Sequence, residues 1–302
     1  MLLFVEQLLN GLQYGVMLFL LAAGLTLVFG IMGVINLAHG SLFMVGAYAA
    51  AAVAGHTGSF ALAALAALAA AGGAGLAVEF LVIRRLYDRD HLDQVLATFG
   101  LLLFFNELVA TLAGRTPLFM QPPAWLGGAV EIIPGVPYPT FRLAILATGV
   151  AVAAGLAFLI ARTRLGMLIR AGATHRAIVG ALGVDIRLLF TLVFALGALL
   201  AGLAGLMAAP ILAVQVGMGE QILIATFVVV VIGGLGSVRG AFVGALLVGL
   251  VDTLARAFVP GLLKQVFAPT TADALGAGLA SAAIYLLMAL VLVFRPRGLL
   301  PA

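Results

Sequence analysis

Four histidines, eleven carboxylates and one lysine are what this 302-residue chain offers for acid–base, nucleophilic or metal chemistry. Their spacing serves none of these. His39, His56, His91 and His175 form no His-x-x-x-His or His-x-x-Glu pair, the helical spacing that would turn two metal ligands onto one face. There is no cysteine, hence no thiolate nucleophile, disulfide framework or sulfur-ligated metal. Lys264 stands in Pro-Gly-Leu-Leu-Lys-Gln, and no Gly-x4-Gly-Lys-Ser/Thr loop exists to cradle phosphates. A Gly-x-Ser-x-Gly nucleophile elbow is missing as well. A membrane-embedded enzyme is therefore the weakest reading, no cofactor or metal is expected in this chain, and any ATP drive must come from another subunit.

Polar residues inside apolar runs are the remaining chemical signal, because each is expensive in lipid. Asn36, His39 and Ser41 follow a glycine break near 30–33, so 30–41 reads as unwound backbone lining a cavity, or as interhelical hydrogen bonding. Gln215 and Glu220 precede another apolar run, again beside glycines. These five are the candidate pathway-lining residues. Glu107 pairs with Arg115 or faces a pathway, and Asp252 and Arg256, four apart, pair along one helix face. A proton-driven carrier would need several carboxylates buried mid-span, which this pattern does not provide.

What positions these residues is a membrane. Hydrophobic residues make up 65% of the chain and charged ones 9%, against about 25% in a soluble domain. Mean hydropathy is +1.28. The net charge of +4 would suggest nucleic acid in a soluble protein. Here the charges lie in short tracts between long apolar runs, so they report orientation, and no nucleic-acid partner is expected. Residues 1–7 have no basic n-region and contain Glu6, so the apolar start reads as a retained first span rather than a signal peptide.

Crossing about 30 Å of hydrocarbon takes about 20 helical residues. Spans are expected at roughly 8–30, 38–55, 60–83, 94–113, 141–161, 188–212, 221–238, 240–258 and 273–294. The fold class is all-α: a polytopic membrane protein with eight or nine transmembrane helices, some broken or re-entrant, forming one domain over 1–302. The second span is short enough to be re-entrant. Residues 114–140 hold six of the eleven prolines and form a loop, extramembrane or partly inserted. Eleven arginines (84, 85, 89, 162, 164, 170, 176, 187, 239, 295 and 297) fall in loops of one parity. Arg115, Arg142, Arg256 and Lys264 fall in the other. The first set is therefore expected in the cytoplasm, with the C-terminus, and the proline-rich loop outside. Small residues recur at spacing four (Gly11/Gly15, Ala201/Gly205/Ala209, Gly240/Gly244, Ala272/Gly276/Ala280) and read as packing stripes.

Residues 162–187 are the most distinctive segment, with five arginines against one aspartate. Leu168, Ala171, Ile178 and Leu182 fall near helical spacing, so a short amphipathic helix is expected. Physics alone reads it as a surface anchor or as a docking helix for a cytoplasmic partner.

At this point the residues resemble a known family. Arg-Thr-Arg-Leu-Gly at 162–166, Arg170-Ala171 and Ala-Leu-Gly-Val at 181–184 are similar to the cytoplasmic loop of LivH-type permeases of ABC importers for branched-chain amino acids. Gly-Leu-Thr-Leu-Val-Phe-Gly at 24–30 running into Val-Ile-Asn-Leu-Ala-His-Gly at 34–40 agrees with the same family, as do Gly-Gly-Leu-Gly-Ser-Val-Arg-Gly at 233–240 and Arg-Pro-Arg-Gly-Leu at 295–299. Thr174-His175-Arg176 departs from it, standing where such proteins commonly carry an acidic or amide residue. The resemblance implies a multi-pass bacterial inner-membrane protein that translocates branched-chain or related small amino acids. It also implies a second permease subunit, sister or identical, two cytoplasmic ATPase subunits and an external solute-binding protein. Arg170, Ala171, Gly172, Ala177 and Gly183 would couple to the ATPase. A permease for urea or short amides is the alternative within the resemblance. A stand-alone channel or secondary carrier is the alternative outside it.

Overall fold

Among the described residues, side-chain caps open four of the helices of this chain. Ser59 Oγ accepts from the Leu62 amide (3.4 Å), Thr163 Oγ1 from Gly166 (3.0 Å), Asp185 Oδ1 from Leu188 (3.0 Å) and Ser237 Oγ from Gly240 (3.1 Å). Each satisfies one of the amide groups a helix start leaves free. In this computed structural model residues 2–300 are described except Pro134, with the side chains of Ile133, Val136, His175, Arg176 and Ala177 outside the description. The helices are α1 (Leu2–Met32), α2 (His39–Thr57), α3 (Phe60–Leu81), α4 (His91–Ala113) and α5 (Thr140–Arg162). They continue with α6 (Arg164–Ala181), α7 (Ile186–Ala208), α8 (Met218–Gly233), α9 (Val238–Leu263) and α10 (Pro269–Phe294).

The chain is an all-α polytopic membrane protein. Among the described residues, seven helices are long and apolar enough to cross a membrane: α1, α3, α4, α5, α7, α9 and α10. α2 and α8 complete the nine expected positions but are shorter. At 1.5 Å per residue the 16 residues of α8 reach about 24 Å, less than the hydrocarbon thickness. The eight or nine spans expected thus separate into seven long helices and two short buried ones.

The proline-rich segment is more ordered than a plain loop. It contains an antiparallel hairpin, β1 (Ala129–Ile133) with β2 (Val136–Pro139), in which Val130 faces Tyr138. A two-stranded hairpin has only edge strands, so Pro137 and Pro139 can sit in it without breaking a central ladder. Leu118 and Val214 exchange backbone hydrogen bonds of 2.9 Å, tying this segment to the α7–α8 connection.

α1 runs through the middle of the bundle and is buried along most of its length, packed on α9, α7, α5 and α8. α4, α5 and α10 lie at the periphery with exposed apolar faces. Lipid offers no hydrophobic drive to bring helices together, so backbones must approach closely instead. A Cβ on Gly249 of α9 would lie 2.3 Å from the Gly15 nitrogen of α1, and one on Gly205 of α7 would lie 2.2 Å from the Phe43 carbonyl of α2. The stripes read from the sequence are these seams: Gly244 meets Val229, and Gly276 meets Pro260. After α10 the chain folds back, and the Leu299 and Leu300 amides donate to the Ile232 and Gly233 carbonyls (2.8 and 3.1 Å) at the end of α8.

The same chemical change should therefore act oppositely at two glycines. Gly249→Ala drives a methyl group into backbone and is expected to cost about 1–3 kcal/mol. Gly73→Ala enters open space on α3 and is expected to leave stability unchanged or slightly raised. Thermal unfolding of the two variants in detergent measures the contrast.

Candidate functional site

Gly33 ends α1 in the left-handed region (φ 68°), its amide donating to Phe29 O, and the backbone then runs irregularly to the start of α2 at His39. α4 holds this connection: the Ile35 amide donates to Gln94 Oε1 and the Thr98 hydroxyl to Ile35 O, both at 3.4 Å. His39 is buried, and its Nε2–H donates to Leu21 O at 3.2 Å, which selects that tautomer. Gly24 sits between His39 and Gly197. Asn36 and Ser41 are buried too, yet among the described residues the Asn36 amide nitrogen and oxygen and the Ser41 hydroxyl find no hydrogen-bond partner, and neither does the buried Thr26 hydroxyl. Unpaired polar groups in such a place cost free energy.

The first turn of α2 abuts the first turn of α8. A Cβ on Gly40 would lie 2.3 Å from Gly219 O, and one on Gly219 2.0 Å from Gly40 O. The stretch holding the candidates Asn36, His39 and Ser41 and the helix start holding Glu220 are thereby neighbours. Glu220 itself is exposed and Gln215 is half-buried in the turn before α8, so their side chains do not share the burial of Asn36, His39 and Ser41.

Within the basic segment residues 164–181 form α6, longer than the short amphipathic helix expected, and a turn at 182–185 leads into α7. The reversal from α5 into α6 needs glycine at 166, where a Cβ would meet Leu159 O at 2.1 Å. Arg170 is exposed, Ala171 half-buried, and Gly172 buried against Leu189 of α7. Gly183 turns the chain with φ 88°. The Ala177 side chain lies outside the described residues. Met167, Ile178 and Leu182 are exposed, Leu182 to 79%. A cavity of about 630 Å³ lies between α6, α1, α5 and the α8–α9 turn, with Thr26, Arg170, Ser237 and Arg239 on its wall. A second, more open pocket of about 330 Å³ on the α1–α9 seam is lined by Gln7, Tyr14, Asp252, Thr253 and Arg256. Among the described residues no group of three His, Asp or Glu side chains is placed to hold a metal ion.

Residues 7–294 match the family described as the permease component of branched-chain amino acid transport systems. The chain belongs to that family. It is 30% identical over 311 residues to the high-affinity branched-chain amino acid transport system permease protein BraD of Pseudomonas aeruginosa, covering 98% of this chain and 95% of the relative. LivH of Salmonella typhimurium, of the same description, is 27% identical over 310 residues with the same coverage. A probable branched-chain amino acid transport permease LivH of Methanocaldococcus jannaschii is 26% identical over 267 residues, covering 83% of this chain and 82% of the relative. No solved structure matches this chain.

This family member also carries a buried ionic cluster that sequence reading missed. Glu79, near the end of α3, is fully buried and takes a bidentate contact from Arg84 (2.9 and 3.1 Å). The Thr191 hydroxyl of α7 lies 3.1 Å from the same carboxylate, and Tyr87 OH donates to it. Burial, and next the neighbouring Glu79 carboxylate, push the Tyr87 phenol well above its usual range. The cluster locks the α3–α4 connection to the start of α7, beside the docked α6. A lone carboxylate five residues before Arg84 was the available signal, masked because the span over 60–83 absorbed it. Glu79→Ala removes the acceptor shared by Arg84, Tyr87 and Thr191 and is expected to destabilise the permease. Glu79→Gln, which keeps the hydrogen-bonding geometry, is expected to lose less. Detergent melting curves of the two variants check the order.

Proposed function

We propose that this chain is the membrane-spanning permease subunit of an ATP-driven ABC importer for branched-chain or related small amino acids. The observation that carries this is the family match over nearly the whole chain, seen also in the permease relatives. The absence of any phosphate-cradling loop fits a gate whose energy source lies in two partner ATPases. In this reading the arginine-rich end, with the C-terminus, faces the cytoplasm, and the proline-rich segment faces the solute-binding protein outside. A second permease subunit, sister or identical, completes the pathway.

α6 is the coupling element in this proposal. Its arginines favour an acidic or polar partner surface, while exposed Met167, Ile178 and Leu182 supply apolar anchors a surface helix would otherwise hide. ATP binding can shift the spans between two arrangements only through a difference in affinity for them, and α6 is where that difference would enter. The junction of α2 and α8 is the candidate gate, since two short helices meet there beside unpartnered Asn36 and Ser41. The unpartnered Asn36 amide also favours a second reading, a permease for urea or short amides, which would answer its donor and acceptor together.

In proteoliposomes holding the complete transporter, leucine uptake is expected to require ATP and every partner, and the isolated chain to transport nothing uphill. Leu182→Glu is expected to reduce ATP-dependent uptake at least tenfold by weakening ATPase attachment. Uphill uptake by the chain alone, or full coupling in the variant, would refute the respective assignments.

A further inference from the structure

The α1–α9 seam holds an ion pair on the wall of a pocket. Asp252 is nearly buried, and Arg256, whose side chain is 56% exposed, contacts it through Nε and Nη2, both at 2.9 Å. At 1.5 Å per residue Asp252 lies about 21 Å from the Val238 end of α9 and about 16 Å from the Leu263 end, and Arg256 about 10 Å from the Leu263 end. An arginine facing hydrocarbon near a helix centre costs about 2.5–3.5 kcal/mol. An i,i+4 pair on a helix surface recovers only about 0.3–0.5 kcal/mol. Arg256 stands about 10 Å from the Leu263 end rather than at the helix centre, so its exposed guanidinium meets the aqueous interface and not hydrocarbon.

The surroundings extend this polar face. Gln7 and Tyr14 of α1 line the same pocket of about 330 Å³. Beyond them Asn10 accepts from Arg142 of α5 and donates to Gln7 Oε1. The pocket is large enough for a small amino acid, and its charges are opposite and adjacent. The internal contact uses two of the five guanidinium N–H groups and one lone pair on each carboxylate oxygen. The remaining donors and acceptors can serve a ligand without breaking the pair.

We infer that this pocket is a recognition subsite for the zwitterionic head of an α-amino acid, with the solute carboxylate on Arg256 and its ammonium on Asp252. The inference rests on the importer reading and narrows its substrate class. An α-amino acid carries one charge of each sign at its α-carbon, as the pocket does, so binding adds no net charge inside the bilayer. Gln7 and Tyr14 offer further hydrogen bonds to the same head group. Urea and neutral amides supply no charge to either partner and gain nothing from them. Free ammonium or carboxylate compounds satisfy one pole and leave the other facing a like or absent charge.

Binding to the solubilised permease–ATPase complex, without the solute-binding protein, tests this with three probes: leucine, 3-methylbutylamine (no carboxylate) and 4-methylpentanoate (no ammonium). The wild type is expected to prefer leucine over both at least tenfold. Arg256→Gln should bring leucine level with the amine, and Asp252→Asn should bring it level with the acid. Equal loss of all three probes, or an unchanged preference, would overturn the inference. The exchanged pair, Asp252→Arg with Arg256→Asp, keeps an ion pair at the same two positions. It is expected to keep the wild-type melting temperature yet bind leucine at least tenfold more weakly, whereas a merely structural pair would restore binding. If the wild-type complex instead binds urea or an amide and none of the three probes, the amino-acid reading itself fails. If it binds leucine and the variants do not change its preferences, that reading stands and this subsite falls.

Discussion

Close approach of helix backbones is the constraint on which everything else in this molecule depends. A soluble bundle gathers its apolar side chains by expelling water, and lipid removes that drive. What remains is van der Waals contact, which falls off steeply with distance, so the seams must carry almost no side chain. Gly15 against Gly249, Gly40 against Gly219 and Gly233 against Gly240 are backbone-on-backbone contacts. They join α1 to α9, α2 to α8 and α8 to α9, and these are the same helices that carry the polar groups of interest. A seam this tight has little room to deform gradually. It suits a protein that passes between discrete arrangements rather than one that flexes.

The polar groups divide by whether the fold satisfies them. Glu79 is fully partnered by Arg84, Tyr87 and Thr191, so it holds elements together. Asn36 and Ser41 are equally buried but have no side-chain hydrogen-bond partner among the described residues, which costs stability. Asp252 and Arg256 lie between these cases, paired with each other but placed on an accessible pocket. Burial alone does not separate structural from functional polarity in this chain.

Several features were legible before any coordinates. The pairing of Glu107 with Arg115 and of Asp252 with Arg256 followed from charge and spacing alone, and both contacts form. The small-residue stripes named the packing faces correctly, because a period of four puts residues on one helix face whatever they pack against. The hairpin within 114–140 was not foreseen, since proline density argues against helix but says little about an edge strand. Gln94, which holds the unwound backbone at Ile35, was invisible because a side chain 59 residues away in sequence carries no local mark. Within 162–187, read as holding a short helix, residues 164–181 form α6, which starts immediately after α5 because Thr163 caps it and Gly166 allows the close reversal.

Composition, hydropathy and local spacing by themselves determined that this chain lives in a membrane, roughly where it crosses, and which helix faces are smooth. Those properties depend on residues close together in sequence and on transfer from water, neither of which needs a partner element. Only the tertiary structure decided that α2 and α8 meet end to end, that Glu79 is bound from three sides, and that Asp252 faces a pocket shared with α1. Each of these is a meeting of groups far apart along the chain. Which seam brings them together is set by packing geometry, and that is not written at any single position.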